Sequence, residues 1–441
     1  MASSSQDFVK PWRLPAQKTY IFTNANVIDP VGGTLLPDAT VKISGGLIES
    51  VSSDTALSGA EDATTVDLAG RYICPGLIDA HVHVVAAPGE ADLAGCVAMD
   101  AAVSMTRQPF VAKQMLARGF TTARDCGGAG LALKQAIADG VFPGPRLFIA
   151  NHALSQTGGH ADFRGAHDHT QCCGGHVTGL GVLCDGVPEC IKAAREQLRT
   201  GADFIKIMCG GGVASPTDAL EHTQFTADEV RAVAEVARGY NTWVTAHAYT
   251  PRAIRHAVDN GVTGIEHGNF IDEATAEYMA ERGVYLTPTL IAYDAMARRK
   301  GFLPPESHVK NEEVLAQGLQ ALEIASKAGV TMCYGSDLLG PLGMEQAGEF
   351  GLRAKVLSAG QVLQSATVNA AKMLRQDGFL GQVKAGFAAD MLVLNANPLD
   401  DIQVLDRPAK HLLAVIKDGR VYSSRWSKLA EDVTVDEALI E

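Results

Sequence analysis

Apolar and polar positions along the chain follow two different patterns, and the change between them divides the sequence into three regions. Up to about residue 70, short β-rich runs are separated by turn residues such as Gly45 and Gly46, which is typical of antiparallel strands. We predict strands in this first region at 20–27, 40–43, 47–51 and 65–68.

From Pro75 onward, apolar runs rich in β-branched residues alternate with segments of helical period. We predict strands at 76–84, 121–125, 146–150, 203–208, 242–246, 264–267, 284–289 and 330–335. The helices predicted between them include 188–200, 226–238, 251–260, 272–282 and 312–327. Eight strands alternating with helices predict an α/β fold, a (β/α)8 TIM-like barrel.

The β-rich pattern returns near the end of the chain, at 390–394 and 412–422, with Gly386 and Gly419 at turns. Because β-rich segments flank the barrel on both sides, we predict that the two chain ends meet in one small β-sandwich domain. The predicted boundaries are 1–74 and 381–441 for the two parts of this domain, and 75–380 for the barrel.

Composition and charge narrow the class of protein. The 441 residues are 46% hydrophobic and 20% charged, which is typical of a folded globular protein and excludes a disordered chain. The formal net charge of −13 argues against nucleic acid and anionic membranes as partners, because an acidic surface repels phosphate groups. No uncharged apolar run reaches the ~18 residues that span a bilayer.

The N-terminal segment and the cysteines bear on cellular location. Residues 1–18 contain no apolar stretch typical of a secretory signal, although a secreted chain that has lost its signal peptide would look the same. The nine cysteines are scattered, odd in number and without Cys-x-x-Cys spacing, and so large a chain does not need disulfides. We therefore predict reduced thiols and a cytoplasmic protein.

The first chemical signal is a pair of histidines on the predicted strand 76–84. His81 and His83 are two residues apart, so both imidazoles project from the same face of the strand. One interpretation is a metal site; the other is two polar residues at a strand end whose hydrogen bonds are satisfied locally.

Four residues on later predicted strands change the balance between these interpretations. Lys206 lies between two isoleucines, where an ammonium is costly unless it is paired or chemically altered. Taken singly, it could be a lysine that reaches solvent, His247 and His267 could be core histidines, and Asp337 could cap a helix. Their shared position at the carboxyl ends of barrel strands, where barrel active sites lie, instead predicts a metal site.

In this order along the chain, six residues resemble the ligands of the amidohydrolase superfamily of binuclear metal hydrolases: His81, His83, Lys206, His247, His267 and Asp337. The segment 381–394 is similar to the C-terminal signature of that superfamily. Within it, the motifs at 155–162, 210–215, 244–249 and 265–268 most resemble the imidazolonepropionase-like branch. That branch contains Xaa-Pro dipeptidases, N-acyl amino acid hydrolases and ochratoxinase-like enzymes.

The resemblance implies two divalent metal ions, expected to be Zn²⁺. It assigns His81, His83 and Asp337 to the more buried ion, and His247 and His267 to the other. It further implies that Lys206 is N6-carboxylated, so that a carbamate bridges both ions and a costly buried ammonium becomes a neutralised anion. Asp337 is also expected to be catalytic, moving a proton from the attacking water to the leaving amine.

The same resemblance suggests three substrate contacts. Tyr249 lies two residues after His247 and would face the same cavity, where relatives bind the α-carboxylate of the substrate; a packed loop tyrosine is the alternative. His160 would donate a catalytic hydrogen bond to the carbonyl oxygen of the substrate. Asp162 would either orient His160 or cap its loop.

A separate cluster of metal-binding residue types lies in the loop 160–184: His167, His169, Cys172, Cys173 and His176. A structural zinc site is one interpretation. Because the two cysteines are adjacent and a second Cys-x-x-Cys pair is missing, we favour a lid or an oligomer-contact loop.

These observations predict a metal-dependent hydrolase that cleaves an amide bond beside a free carboxylate in small dipeptides or N-acyl amino acids, with ochratoxin-like amides as one instance. Its partner would be a small-molecule substrate with a carboxylate, and a homo-oligomer is expected. One alternative is a mononuclear cyclic-amide hydrolase or deaminase, which Lys206 disfavours. The other is a non-catalytic scaffold, which the complete set of six ligands disfavours.

Overall fold

The computed structural model describes residues 9–53, 62–168 and 179–433. Its strands are β1 (Tyr20–Asp29), β2 (Thr34–Ser44), β3 (Leu47–Ser52), β4 (Thr64–Asp67), β5 (Tyr72–Pro75), β6 (Leu77–Val82), β7 (Phe120–Asp125), β8 (Arg146–Ile149), β9 (Ala153–Ser155), β10 (Gly181–Leu183), β11 (Ile205–Met208), β12 (Val244–Ala248), β13 (Gly264–His267), β14 (Tyr285–Thr287), β15 (Met391–Leu394), β16 (Leu412–Lys417) and β17 (Arg420–Ser424).

The helices are α1 (Leu93–Ala98), α2 (Ala101–Ala117), α3 (Leu131–Ala138), α4 (Val187–Arg199), α5 (Ala227–Gly239), α6 (Pro251–Asp259), α7 (Glu273–Glu281), α8 (Leu290–Arg298), α9 (Pro305–Lys327), α10 (Gly348–Arg353), α11 (Ala359–Ser365), α12 (Val368–Met373), α13 (Gln403–Asp406) and α14 (Pro408–His411). A 3₁₀ helix spans Gly340–Glu345.

Strands from both ends of the chain pair in one eight-stranded sheet, in the order β17-β16-β15-β5-β1-β2-β3 with β4 beside β1. The strand that joins the two ends is β5, which pairs in parallel with β1 and antiparallel with β15. The sheet has an apolar core of its own, which includes Phe22, Val41 and Ile416. The two chain ends therefore meet as expected, whereas the two layers of a sandwich and the exact domain boundaries stay predictions.

The middle of the chain forms two parallel sheets, β6-β7-β8 and β10-β9-β11-β12-β13-β14. Helices separate successive strands from β11 to β14, and their apolar faces pack on the sheet: Val233 of α5 and Ala257 of α6 share one core with Ile207 and Ile265. The alternation of strands and helices predicted from the sequence is confirmed. The short strands β9 and β10 were not predicted.

Single backbone hydrogen bonds connect the two parallel sheets. The Asp203 amide donates to the Ile149 carbonyl at 2.7 Å, which joins the start of β11 to the end of β8. On the opposite side, the segment 330–335 lies between β14 and β6, and the Ala80 amide donates to the Tyr334 carbonyl at 2.8 Å. Closure of all these strands into one barrel stays a prediction.

The prediction of a strand at 330–335 is wrong in one respect, because the segment forms only an isolated bridge between Met332 and Leu286. Backbone hydrogen bonds join this segment to Leu286 and Ala80, but side chains take the place of a strand partner at two of its carbonyl groups. The Met332 carbonyl accepts from Asn369 Nδ2 at 3.0 Å, and the Cys333 carbonyl accepts from an Arg353 NH2 group at 3.0 Å.

Two findings bear on the expected location of the protein. Within the described ranges, no helix has both the length and the apolar character needed to cross a bilayer. All seven cysteines in these ranges are free and buried, which fits the predicted reduced thiols. The cytoplasmic location itself stays a prediction.

Arg146 ties β8 to the sheet of the chain ends, and its replacement tests that connection. Its NH1 group donates to Asp390 at 2.6 Å, and its NH2 group donates to Asp418. Arg146→Gln leaves the buried Asp390 carboxylate without its counter-ion, so we expect the free energy of unfolding to fall by about 2–3 kcal/mol in urea denaturation. Arg195→Gln, at an exposed position of α4, is the control; equal changes in both variants would contradict the prediction.

Candidate metal centre

Two of the predicted ligands lie at the carboxyl end of β6. His81 is 1% exposed and lies within the strand, and His83 follows its last residue. Val82 and Val84 face the other way, into an apolar cluster. As the alternation predicted, both imidazoles face one centre, with ring centroids 5.2 Å apart.

Each of these imidazoles is held through its Nδ1 atom. His81 Nδ1 lies 2.7 Å from Glu266 Oε2, and His83 Nδ1 lies 2.8 Å from the Gly127 carbonyl oxygen. Hydrogen bonds of this kind fix the orientation of a ligating histidine. Both Nε2 atoms are left facing Asp337 Oδ1, at 3.4 Å from His81 and 3.1 Å from His83.

His247 and His267 complete the group of imidazoles. His247 Nε2 lies 3.0 Å from the Gly211 carbonyl oxygen, and His267 Nδ1 lies 2.7 Å from Thr289 Oγ1. The two rings are 4.6 Å apart, and the ring of His267 is 5.0 Å from that of His81. Each of the four imidazoles thus has one nitrogen held by a protein oxygen outside the predicted ligand set.

Glu266 and His267 are consecutive residues of β13, yet both face the centre. A regular strand would place them on opposite faces. The φ angle of His267 is +76°, and this left-handed conformation turns its ring toward His81. A non-glycine residue held in such a conformation costs of order 1–3 kcal/mol, and strain of this kind is concentrated at functional sites.

Asp337 lies against the histidines from the segment after 330–335. Its amide donates to the His81 carbonyl at 2.8 Å, and its Oδ2 lies 3.9 Å from His267 Nδ1. Burial alone would raise the pKa of Asp337, but His81 and the hydrogen bond from His83 outweigh it and lower the pKa. Ligand atoms of His81, His267 and Asp337 all lie within 4.8 Å of one another, as a shared metal ion requires.

Lys206 is buried on β11 at 1% exposure, on the strand face opposite its flanking isoleucines, which pack in the core. Within the part of the chain that the structure describes, its Nζ forms no hydrogen bond or ion pair. The positive charge of Lys206 contributes to lowering the pKa of His81, His247 and His267. Burial is the largest cause of the shift in all three, and Lys206 is a smaller one. An ammonium in this position is costly, as the sequence indicated.

The protonation of the histidines fits a metal site. Burial lowers the pKa of His81 and of His247 well below the usual value, and lowers that of His267 to about 3. Neutral imidazole is the form that binds a divalent cation. His83 differs, because Asp337 outweighs burial and raises its pKa. Four imidazoles, a carboxylate and a lysine that needs an anionic partner are a suitable donor set for metal ions.

Sequence reasoning missed the buried pair beneath the ligands. Arg124 on β7 donates from NH2 to both Glu266 oxygens at 2.6 and 2.7 Å, and both side chains are at most 1% exposed. Glu266 in turn holds His81. The sequence does show a charged residue inside each of the two predicted strands, Arg124 in one and Glu266 in the other. It does not show that they pair, because they are 142 residues apart and only the fold brings them together.

His160 lies next to the four imidazoles, with its ring stacked 4.1 Å from that of His247. The prediction that Asp162 orients it is wrong. The Asp162 carboxylate accepts from the Gly158 amide at 2.9 Å and from Arg164 Nε at 2.7 Å, so it caps the loop. Ser215 Oγ, 2.7 Å from His160 Nδ1, is the contact that orients the ring.

Tyr249 is buried beside the ligands, with its ring 4.7 Å from that of His247. Its hydroxyl oxygen lies 2.9 Å from the Tyr293 hydroxyl. Burial, the largest cause, raises the pKa of Tyr249, so the hydroxyl stays protonated. Tyr293 was not singled out in the sequence, where nothing distinguishes it from other helix tyrosines.

The loop with the second cluster of metal-binding residue types is only partly described. His167 is exposed, whereas His169, Cys172, Cys173 and His176 lie outside the described residues. The choice between a zinc site and a lid therefore stays a prediction.

The fold and the site define an α/β protein with a candidate metal centre at the carboxyl ends of its parallel strands. The chain belongs to the Amidohydrolase family, which matches residues 72–422. The superfamily predicted from the sequence is thereby confirmed.

Individual relatives point to the predicted branch of that superfamily. Ochratoxinase from Aspergillus niger is 31% identical over 426 residues, which cover 92% of this chain and 87% of that protein. The crystal structure of an amidohydrolase is 44% identical with a TM-score of 0.89, covering 92% of this chain and 100% of the other. A prolidase crystallised with N-methylphosphonate-L-proline is 41% identical, with the same TM-score of 0.89 and the same coverage of 92% and 100%.

Replacing Glu266 tests the buried support of the ligands. Glu266→Gln leaves the Arg124 charge unpaired in the interior, so we expect the free energy of unfolding to fall by about 3–5 kcal/mol in denaturant titrations. The double variant Arg124→Leu/Glu266→Leu removes both charges and should lose less than the single variant does. A double variant that is less stable than Glu266→Gln would contradict this account.

Proposed function

We propose that this chain is a binuclear metal-dependent hydrolase that cleaves an amide bond beside a free carboxylate in small dipeptides or N-acyl amino acids. The observation that carries the proposal is Lys206, which is buried and has no anionic partner among the described residues. It lies close enough to three of the imidazoles for its charge to contribute to lowering the pKa of His81, His247 and His267. The relatives support it, because one is an ochratoxinase and another is a prolidase with a bound proline derivative.

We also propose that the parallel strands close into one (β/α)8 barrel with the metal centre at its carboxyl-end mouth. The hydrogen bonds from β8 to β11 and from β6 to the segment 330–335 support closure. We further propose that the protein forms a homo-oligomer and is cytoplasmic.

The residues that would hold one metal ion are His81, His83 and Asp337, and those that would hold the other are His247 and His267. Lys206, carboxylated on Nζ, would lie between them, which removes the cost of the buried ammonium. Zinc suits this set of nitrogen and oxygen donors. When bound, the ions would supply Lewis acidity and a nucleophile at neutral pH.

The chain's own groups then bind and protonate the substrate. Asp337, whose pKa is lowered by His81 and His83, would accept a proton from the attacking water and return it to the leaving amine. The Tyr293 hydroxyl, 2.9 Å away, can donate to the Tyr249 oxygen, so that Tyr249 would donate its own proton to the substrate carboxylate.

Two alternatives predict different metal contents. A mononuclear cyclic-amide hydrolase or deaminase would need one ion per chain and no bridging lysine, which leaves Lys206 unexplained. A non-catalytic scaffold would need none, which leaves four oriented imidazoles unexplained.

Lys206→Ala tests the bridge. We expect the wild-type chain to hold about two zinc ions after gentle purification and the variant fewer than about one, with loss of dipeptide hydrolysis, because the bridging anion is gone. Short carboxylates such as acetate should restore part of the activity. Lys192→Ala, at an exposed position of α4, is the matched control. Unchanged metal content in Lys206→Ala would remove Lys206 from the centre.

Tyr249→Phe tests the carboxylate contact. A hydrogen bond to a charged group is lost, so we expect KM for substrates with a free carboxylate to rise about tenfold to a hundredfold with little change in kcat. KM for the matching carboxamides should not change, and Tyr240→Phe, at an exposed position, should behave like the wild type. An equal rise for acids and amides would contradict the role of Tyr249.

A further inference from the structure

A chain of hydrogen-bonded polar side chains begins at the Nδ1 atom of His160. Ser215 Oγ is 2.7 Å from His160 Nδ1 and also forms a hydrogen bond with Asp218 Oδ1. Lys310 Nζ, from α9, lies 3.4 Å from the same Asp218 oxygen. The proposed chemistry uses none of these three residues.

The direction of these hydrogen bonds follows from the environment of Asp218. Besides Ser215 and Lys310, its carboxylate receives the Gly212 amide at 3.1 Å and Gln224 Nε2 at 2.9 Å. Gln224 cannot be turned round, because its Oε1 accepts from the His160 amide at 2.9 Å. Asp218 is 4% exposed and surrounded by donors, so it is an acceptor only, and the Ser215 hydroxyl must donate to it.

Since the Ser215 proton is committed to Asp218, Ser215 Oγ offers only lone pairs to His160. The imidazole must therefore donate from Nδ1. In a neutral imidazole only one nitrogen carries a proton, so Nε2 is then an acceptor. We propose that Lys310, Asp218 and Ser215 are positioning residues that fix His160 as the Nδ1–H tautomer and leave its Nε2 unprotonated.

The backbone around this chain prevents the ring from turning. Lys310 Nζ donates to three carbonyl oxygens of the loop after β11, those of Gly212, Ser215 and Asp218, at 3.0, 2.9 and 2.6 Å. A Cβ at Gly212 would overlap the His160 ring, so only glycine allows this approach. The loop thus holds the ring against His247 in one orientation.

This tautomer changes the role of His160. The resemblance implied a donor to the substrate carbonyl oxygen, but an unprotonated Nε2 accepts. Among the described residues Nε2 has no hydrogen-bond partner, and the side chain is 14% exposed. This step rests on the proposed function: in the resting enzyme, a substrate N–H or the attacking water would meet His160, and the carbonyl oxygen would not.

The direct test is ¹⁵N NMR of the full-length protein, as purified, with labelled histidine. The His160 signals are assigned by their loss in His160→Gln. We expect a protonated-type Nδ1 and an unprotonated-type Nε2. In Asp218→Asn the amide group can donate to Ser215, whose hydroxyl is then free to donate to Nδ1, so the pattern should reverse. A protonated Nε2 in neutral wild-type His160 would overturn the inference whatever the metal content or activity.

If Asp218→Asn does not fold, a second variant, Ser215→Ala, tests the same inference. Ser215→Ala removes the acceptor for Nδ1, so we expect a mixture of tautomers and a kcat lowered roughly tenfold to a thousandfold, with KM changed less than threefold. Ser307→Ala removes a buried hydroxyl that has no hydrogen-bond partner among the described residues, and it is the matched control, expected to keep wild-type NMR signals and kinetics. A single unchanged tautomer in Ser215→Ala would also overturn the inference.

Discussion

The structure of the site depends on how the interior beside the parallel strands accommodates buried charge. Lys206 and Arg124 each bring a cation to a position that is 1% exposed, and each cation must be neutralised. For Arg124 the protein supplies Glu266, which in turn orients His81. For Lys206 the described part of the chain supplies no hydrogen-bonded carboxylate. The proposed carboxyl group and metal ions would supply the missing negative charge and the remaining partners of the imidazoles.

The sequence was sufficient where function follows from local periodicity. The spacing of His81 and His83 placed both on one strand face, and the isoleucines around Lys206 placed it in the interior. The sequence was not sufficient to predict contacts between distant segments, or positions where the backbone departs from regular strand geometry. Glu266 would face away from His267 in an ideal strand, and Asp162 was the nearest carboxylate to His160 in sequence, although Ser215 and Asp218 are nearer in space.

The same distinction applies to the fold. The alternation of apolar runs and amphipathic segments identified the strands β6, β7, β8 and β11 to β14 to within a few residues, because periodicity is a local property. The segment 330–335 has strand composition, but Asn369 and Arg353 take hydrogen bonds that a neighbouring strand would otherwise form. Side chains that replace backbone partners in this way leave no trace in the hydrophobic pattern.

The pairing of β5 with β15 has a consequence for biosynthesis. Only Gly76 separates β5 from β6, the strand that carries His81, yet the partner of β5 is synthesised more than 300 residues later. An emerging polypeptide would leave one edge of β5 open until β15 leaves the ribosome. The segment that carries His81 would therefore fold next to an unpaired strand edge, and such late, long-range closure is slow compared with local folding.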